Sequence, residues 1–210
     1  MKLDFSQKYA VRPLTAGDVD KILALCAENE QFYRYHPPLA TRESVLEDMT
    51  ALPPGKCAAD KHYLGFFDRE TLVAVLDLIE RYPQDDTAYI GFFMTKKERQ
   101  GYGLGSTFIG ELMDELRRER FRKVRLAVDR GNPQSKAFWE KNGFALMGEE
   151  FPHALAHAAV LFPCGDLTAE THLFPVFDVV LFEEFQQRFL LHPDTEVGIT
   201  QFCRSNVTVR

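Results

Sequence analysis

The chain has 210 residues, of which 45% are apolar and 27% are charged, and its formal net charge is −6 at pH 7. This length and apolar content suffice for one hydrophobic core, so a single globular domain is expected. The acidic balance, 31 Asp and Glu against 25 Lys and Arg, argues against a nucleic-acid partner. No stretch approaches the ~18 consecutive apolar residues of a membrane span, so no membrane partner is expected either.

The cysteines and the first residues narrow the expected cellular setting. The four cysteines are widely spaced and form no Cys-x-x-Cys pair, which predicts neither a zinc site nor a disulfide framework. The first residues lack the apolar core of a signal peptide. We therefore expect a cytoplasmic protein without a bound metal.

The first half of the chain alternates short apolar runs with two capped helices. Thr15 and Thr41 each precede an apolar pattern of helical period and predict helix N-caps. Strands are predicted over residues 9–12, 62–67, 72–79 and 89–94.

A glycine-rich turn at residues 100–106 separates the last of these strands from an amphipathic helix predicted over residues 107–120. A glycine turn that opens a helix presents unpaired backbone N–H groups and the positive end of the helix dipole, which together bind phosphate. The spacing fits neither the P-loop nor the dinucleotide-binding fingerprint. Taken alone, the turn is consistent with a phosphate site or with a plain glycine connection.

A second motif follows the next predicted strand, residues 124–128. Its residues are Asn132, Ser135, Phe138-Trp139, Glu140-Lys141 and Gly143-Phe144. With Gln100, Gly103 and Gly105 in the glycine turn, this order resembles the GCN5-related N-acetyltransferase (GNAT) superfamily. The pyrophosphate loop of that family reads Arg/Gln-x-x-Gly-x-Gly/Ala. The resemblance spans roughly residues 8–150.

The resemblance implies an α/β (α+β) fold, with a mixed, mostly antiparallel sheet of six to seven strands and helices on both faces. Residues 1–150 would form the acetyltransferase core and residues 151–210 a C-terminal extension. We expect the extension to include the last sheet strand, near residues 176–182, and to pack on the core or on a partner subunit. The second arrangement would make the protein a homodimer.

The resemblance also implies acetyl-CoA as co-substrate. Backbone groups at the end of the strand before the glycine turn would hold the pantetheine arm, and N–H groups of the turn would hold the pyrophosphate. The residues expected to bind acetyl-CoA are Phe93, Met94, Thr95, Gln100, Gly101, Tyr102, Gly103, Leu104, Gly105, Ser106, Asn132, Ser135, Phe138 and Trp139. For Asn132 the alternative is a turn-forming residue before Pro133, and for Phe93 and Met94 it is core packing.

The catalytic residues depart from the family pattern. Many members carry, at the position of Trp139, a tyrosine that protonates the leaving thiolate, whereas indole is no useful acid. Either the thiolate leaves without a proton from that position, or Trp139 simply packs. Tyr89 stands where relatives often carry a glutamate base. Asp77 interrupts an apolar strand, where burial would raise its pKa, unless it faces solvent. Asp77 and Tyr89 are therefore the catalytic candidates.

The acceptor is expected beside Phe32, Tyr33, Tyr35 and His36, in the aromatic connection between the first two helices. This segment either forms a slot for a small-molecule or peptide amine, or is a loop held on the core by its rings. The expected activity is acetyl transfer from acetyl-CoA to a primary amine by direct attack. The alternative is a catalytically degenerate acetyl-CoA sensor or interaction module, because Tyr89 and Trp139 replace the usual acid and base.

Overall fold

A computed structural model describes residues 5–146 and 161–163. The strands of this part are β1 Ala10–Pro13, β2 Lys61–Asp68, β3 Thr71–Glu80, β4 Thr87–Thr95, β5 Lys123–Leu126, β6 Phe144–Leu146 and β7 Leu161–Pro163. The α-helices are α1 Val19–Ala27, α2 Glu30–Tyr33, α3 Arg42–Thr50, α4 Leu104–Arg118 and α5 Pro133–Lys141.

The described strands form two sheets. The larger has the order β1-β2-β3-β4-β5, in which the first four strands are antiparallel neighbours and β5 runs parallel to β4. The smaller pairs β6 with β7 in antiparallel fashion. The predicted mixed, mostly antiparallel α/β class is confirmed. The described strands number seven, divided between a five-stranded and a two-stranded sheet.

Helices cover both faces of the large sheet, as predicted, because β3 is apolar on both of its faces. On one face, Leu76 and Leu78 of β3 share a core with Phe108 and Leu112 of α4. On the other face, Val75 belongs to a second core that includes side chains of α1 and α3. The sheet therefore separates two hydrophobic cores, and β4 contributes to both.

The predicted helix starts are present, with one variation. The Thr41 side chain accepts a hydrogen bond from the Ser44 N–H at 3.2 Å and so caps α3. At Thr15 the chain first makes a 3₁₀ turn, Ala16–Asp18, before α1 begins. The Asp18 carboxylate accepts the Thr15 N–H at 3.0 Å and is paired with Arg12 at 2.7 Å. Hydrogen bonding to Arg12 lowers the pKa of Asp18.

Two elements of the described chain, α2 and β7, were not predicted from the sequence, and one predicted strand lies outside the described residues. The aromatic connection contains the short helix α2, and the expected extension contributes the strand β7. Apart from β7, the extension lies outside the described residues, including the strand expected near residues 176–182. No described helix has both the length and the apolar character that crossing a bilayer requires. A cytoplasmic location stays a prediction.

Candidate active site

The strands β4 and β5 separate partway along β4. Their parallel pairing ends at Ile90 and Leu126, whereas β4 continues to Thr95. A bulge marks this point, because Asp77 of β3 pairs with Phe92 and the next residue, Leu78, pairs with Ile90. Gly91 is therefore the extra residue of β4. Within the described chain, residues 91–95 have no strand partner on the β5 side. Backbone groups that point to this side are therefore not used in the sheet.

The unpaired end of β4 leads into the glycine-rich turn and α4. The first three helical residues, 104–106, have no intrahelical acceptor for their N–H groups, and Gly103 as N-cap supplies no side chain. None of the six N–H groups of residues 101–106 donates to any described residue. Six such donors at the positive end of a helix dipole are suited to an anion such as phosphate, and binding of pyrophosphate here stays a prediction.

The glycines of the turn serve two different purposes. Gly101 and Gly103 adopt φ angles of 81° and 82°, in the left-handed region that favours glycine. Gly105 instead allows close packing, since a Cβ there would lie 3.0 Å from the Phe138 ring and 3.5 Å from Cγ2 of Thr95. The turn geometry and the approach of α5 thus both depend on glycine.

Gln100 points into the protein rather than along the row of N–H groups. Its Nε2 donates to Oδ1 of Asn29 at 2.7 Å and to the Thr95 carbonyl at 3.0 Å. Asn29, which is buried, in turn donates to the carbonyls of Leu25 at 2.8 Å and of Thr95 at 3.2 Å. This network joins the end of α1, the end of β4 and the start of the turn. Sequence reasoning missed Asn29, and binding of cofactor by Gln100 stays a prediction.

Helix α5 forms the wall beside the unpaired end of β4. Oδ1 of Asn132 caps this helix by accepting the Ser135 N–H at 3.0 Å, so the turn-forming interpretation of Asn132 describes its position well. The Phe138 ring stacks on that of Phe93, with centroids 5.9 Å apart. Trp139 is buried and packs edge-on against Phe138. Trp139 therefore fills the core under this wall. Contact of these residues with cofactor stays a prediction.

Asp77 lies on the sheet face opposite α4 and is held by a single cation. Nζ of Lys61 donates to both Asp77 carboxylate oxygens, at 2.8 and 2.9 Å. The two side chains are 6% and 15% exposed, so the pair is nearly buried. Burial raises the pKa of Asp77 to about 6, although Lys61 opposes the shift. The expected raised pKa is present, and the solvent-facing alternative is wrong because only 15% of the Asp77 side chain is exposed.

Tyr89 lies on β4 directly opposite Ile79, on the same sheet face as Asp77. Its ring meets that of Tyr82 edge-on, with centroids 5.8 Å apart. Burial is the main cause that raises the pKa of the Tyr89 phenol. The phenol is therefore protonated near neutral pH and serves as a hydrogen-bonding group at that pH.

The aromatic connection packs on the core and also reaches across the opening between β4 and β5. The Phe32 ring meets those of Tyr33 and Phe92 edge-on, with centroids 5.1 and 5.9 Å apart. The Tyr33 hydroxyl is hydrogen-bonded to the Cys26 thiol, and burial raises the pKa of this phenol. Phe32 and Tyr33 thus agree with the core-packing interpretation, while Phe32 also borders the unpaired end of β4.

Two residues of the same connection contact the segment that follows β5. Nδ1 of His36 lies 3.0 Å from Oδ1 of Asp129. The Tyr35 ring lies beside Gly131, at which a Cβ would be 3.9 Å from Cε1 of the ring. The connection therefore bridges from α1, past β4, to the far side of the opening. The structure brings Phe32, Tyr35 and His36 to the predicted acceptor side, where substrate binding stays a prediction.

A cavity of about 650 Å³ lies beside the first turn of α4. Among its lining residues are Lys8, Tyr9, Arg99, Tyr102 and Leu104. Tyr102 is 87% exposed, and its contact with cofactor stays a prediction. Among the described residues, no group of three or more His, Cys, Asp or Glu side chains is placed to hold a metal ion.

A strand edge that opens beside N–H groups without a partner in the described chain is suited to a long ligand that carries both amides and phosphates. The chain belongs to the acetyltransferase (GNAT) family, whose sequence model matches residues 24–144. No curated protein matches the chain significantly in sequence.

Solved structures share this fold at low sequence identity. An acetyltransferase from Thermus thermophilus is 21% identical, with a TM-score of 0.62, and the match covers 77% of this chain and 97% of that one. The PaiA N-acetyltransferase of Thermoplasma acidophilum, solved with coenzyme A, is 18% identical, with a TM-score of 0.54 and coverage of 73% and 96%. A chimera of the Vibrio cholerae spermidine N-acetyltransferase is 22% identical, with a TM-score of 0.56 and coverage of 74% and 93%.

Proposed function

We propose that the protein is an acetyl-CoA-dependent N-acetyltransferase that acts on a primary amine of a small molecule or peptide by direct attack. The observation that carries this proposal is the row of six unpaired N–H groups at residues 101–106, placed where β4 leaves β5. Coenzyme A bound to a GNAT relative of the same fold supports the choice of cofactor. Acetyl-CoA supplies the activated acetyl group as a thioester.

The chain offers separate groups for the two ends of this co-substrate. Backbone groups of Phe93, Met94 and Thr95 would pair with the pantetheine amides much as a neighbouring strand pairs with β4. The exception is the Thr95 carbonyl, which already accepts hydrogen bonds from Asn29 and Gln100. N–H groups of the glycine turn would hold the pyrophosphate without a cation in direct contact. Phe138, stacked on Phe93, would exclude water from the arm.

The acceptor would enter on the sheet face that carries Asp77. Asp48 of α3 lies close enough to this face that its charge raises the pKa values of Tyr63 and Asp77. Asp77 is paired with Lys61 and Asp129 with His36, so the charge that favours a cationic ligand such as an ammonium group comes mainly from Asp48. A spermidine acetyltransferase of the same fold is consistent with an amine acceptor of this kind. Asp77 and Tyr89 would orient the acceptor through its charge and hydrogen bonds.

The proposal extends to the organisation of the chain. Residues 1–150 would be the acetyltransferase core, and residues 151–210 an extension that packs on this core or on a second subunit of a homodimer. The pairing of β6 with β7 supports a contribution of the extension to the core, because β7 lies beyond residue 150. Gel filtration with light scattering distinguishes the two arrangements by molar mass.

The test is thiol release from acetyl-CoA in the presence of an amine panel, comprising amino acids, polyamines, aminoglycosides and peptides with free N-termini. We expect release with at least one amine and acetyl-CoA binding in calorimetry. Gly103→Val should abolish this binding, since it places a branched side chain at a φ of 82° beside the N–H row. Gly110→Ala, in the exposed middle of α4, is the matched control and should bind normally.

Two outcomes would contradict the proposal in different ways. Binding of acetyl-CoA without release on any amine would favour the sensor, the alternative that the buried Trp139 and the protonated Tyr89 support. Unchanged binding by a folded Gly103→Val variant would place the phosphate site elsewhere.

A further inference from the structure

The acceptor nitrogen must lose a proton before it can attack, and the two catalytic candidates of the sequence are poorly suited to take it. Both oxygens of Asp77 accept hydrogen bonds from Lys61. The Tyr89 phenol already carries its proton near neutral pH, because burial raises its pKa. A base with an accessible lone pair has to come from another part of the site.

His36 and Asp129 have the arrangement of an oriented base. Nδ1 of His36 is 3.0 Å from the Asp129 carboxylate. A carboxylate so placed fixes the tautomer with the proton on Nδ1 and leaves the lone pair on Nε2. Among the described residues, Nε2 has no hydrogen-bond partner. The Asp129 side chain is 8% exposed, whereas that of His36 is 42% exposed, so the ring faces solvent with the carboxylate behind it.

The His36–Asp129 pair also lies beside the opening between β4 and β5. Asp129 follows Leu126, the last β5 residue paired with β4, by three positions, and therefore lies where the two strands have separated. The Phe32 ring meets the His36 ring at 5.3 Å and the Phe92 ring, on the unpaired part of β4, at 5.9 Å between centroids. The imidazole is thus held over the opening in which the proposed function puts the thioester and the amine.

We infer that His36 is the general base of the acetyl transfer and that Asp129 is its positioning residue. This inference rests on the proposed function. Nε2 takes one proton from the acceptor ammonium, directly or through one water, and the freed lone pair attacks the thioester carbonyl carbon. The C–N bond forms and the C–S bond breaks, with the bonding pair leaving on sulfur. The second nitrogen proton passes through water to the thiolate, and His36 releases the first to solvent.

The surrounding charges suit this role. Hydrogen bonding and charge from Asp129 raise the pKa of His36, burial lowers it, and the charge of Asp48 on α3 raises it further. The net effect is a raised pKa, which makes the neutral imidazole a stronger base. Activity should therefore rise as pH increases through the His36 pKa. The midpoint of this acidic limb should lie above about 6.5, the ordinary pKa of histidine.

The experiment is the pH profile of kcat/KM for the wild type, His36→Gln, Asp129→Asn and a control, Asp20→Asn, which breaks an exposed pair with Arg42. In Asp129→Asn we expect the acidic limb to move to lower pH, because the group that raises the His36 pKa is gone. His36→Gln should lose about 100-fold or more near pH 7. It should regain most of this loss near pH 10, where an alkyl ammonium deprotonates unaided. The control should match the wild type throughout.

Three results would overturn the inference while leaving the proposed function intact. One is a loss in His36→Gln that is the same at every pH, as for a residue that only shapes the pocket. Another is an acidic limb that Asp129→Asn does not move. The third is an acidic limb that moves in Asp77→Asn, which would make Asp77 the base. Absence of acetyl transfer by the wild type would instead overturn both proposals.

Discussion

Two pairs of a basic and an acidic side chain stand on either side of the unpaired end of β4, and they are built differently. In the Lys61–Asp77 pair, both carboxylate oxygens are occupied and both side chains are nearly buried. In the His36–Asp129 pair, the carboxylate is buried but the imidazole is 42% exposed and keeps one nitrogen outward. The first pair is suited to hold the sheet face in place, and the second to exchange protons with a ligand.

Both pairs make stability fall as pH rises, but over different pH ranges. The folded pKa of Asp77 is about 6, above its ordinary value of about 3.9, so burying the carboxylate costs stability progressively as pH rises between these two values. His36 has a pKa raised mainly by Asp129, so its pair stabilises the fold below about pH 6.5 and loses that contribution as pH rises through the folded pKa. Removing Lys61 should therefore cost more stability at high pH than at low pH, whereas removing His36 should cost more at low pH.

The largest effect is expected for Lys61→Met. It leaves the Asp77 carboxylate buried without a cation, which should lower the free energy of unfolding by about 3–5 kcal/mol at pH 8. At pH 4.5 Asp77 is protonated and the loss should be much smaller. Urea unfolding at the two pH values measures both quantities. The double variant Lys61→Met/Asp77→Asn is the control and should recover most of the loss at pH 8. A loss independent of pH would show that Lys61 acts through packing alone.

A smaller loss is expected for Gly91→Ala. A Cβ at this position would lie 2.8 Å from Oδ2 of Asp77, and Lys61 prevents that carboxylate from swinging away freely. We expect a loss of about 1–3 kcal/mol in the free energy of unfolding. Gly110→Ala, with open space around it in α4, should instead be neutral or stabilising. Equal behaviour of the two variants would mean that the bulge readily accommodates a side chain.

The exposed pair should matter least for stability. His36→Gln should lower the free energy of unfolding by no more than about 1 kcal/mol at pH 5.5, because the imidazole is partly hydrated. At pH 9 the difference from the wild type should vanish. Thermal unfolding at both pH values tests this. A loss larger than that of Lys61→Met at pH 8 would reverse the comparison between the two pairs.

Trp139→Phe should have the smallest effect on catalysis. The indole is buried against Phe138 and Phe144, with centroids 5.0 and 5.1 Å away, so we expect it to act by packing. We expect kcat to change by less than about twofold, whereas a lost hydrogen bond to sulfur would cost roughly two- to tenfold. Single-turnover rates at saturating acetyl-CoA measure this directly. A drop well beyond tenfold, with unchanged cofactor affinity, would contradict the packing interpretation of Trp139.

Local patterns predicted most of the architecture. The apolar runs that became β2, β3 and β4, the caps at Thr15 and Thr41 and the glycine turn are all local signals, and the structure contains each of them. The bulge also had a local signal, an isolated glycine in a strand, which the sequence analysis did not use. Lys61 and Asp77 lie on the two strands of one hairpin, whose register brings them close together. Their pairing could therefore have been predicted from local patterns as well.

Long-range polar contacts could not be predicted in this way. Gln100 bonds to Asn29, 71 residues away, and His36 to Asp129, 93 residues away. No period or spacing in one sequence indicates such partners, because they depend on how α1 and β5 are placed around β4. The candidate site was therefore predicted best where backbone groups form it, at residues 101–106. It was predicted least well where two distant side chains meet.

The unpaired end of β4 also affects how this protein behaves at high concentration. Exposed strand edges recruit other strands, and residues 91–95 lack a strand partner on the β5 side within the described chain. The shortness of this edge and the bulge at Gly91 limit this recruitment, as bulges and short edges do in other sheets. A ligand that occupies the edge would act as a protective strand. Coenzyme A added during purification should accordingly suppress self-association, and the shelf life of concentrated samples would report on the occupancy of the site.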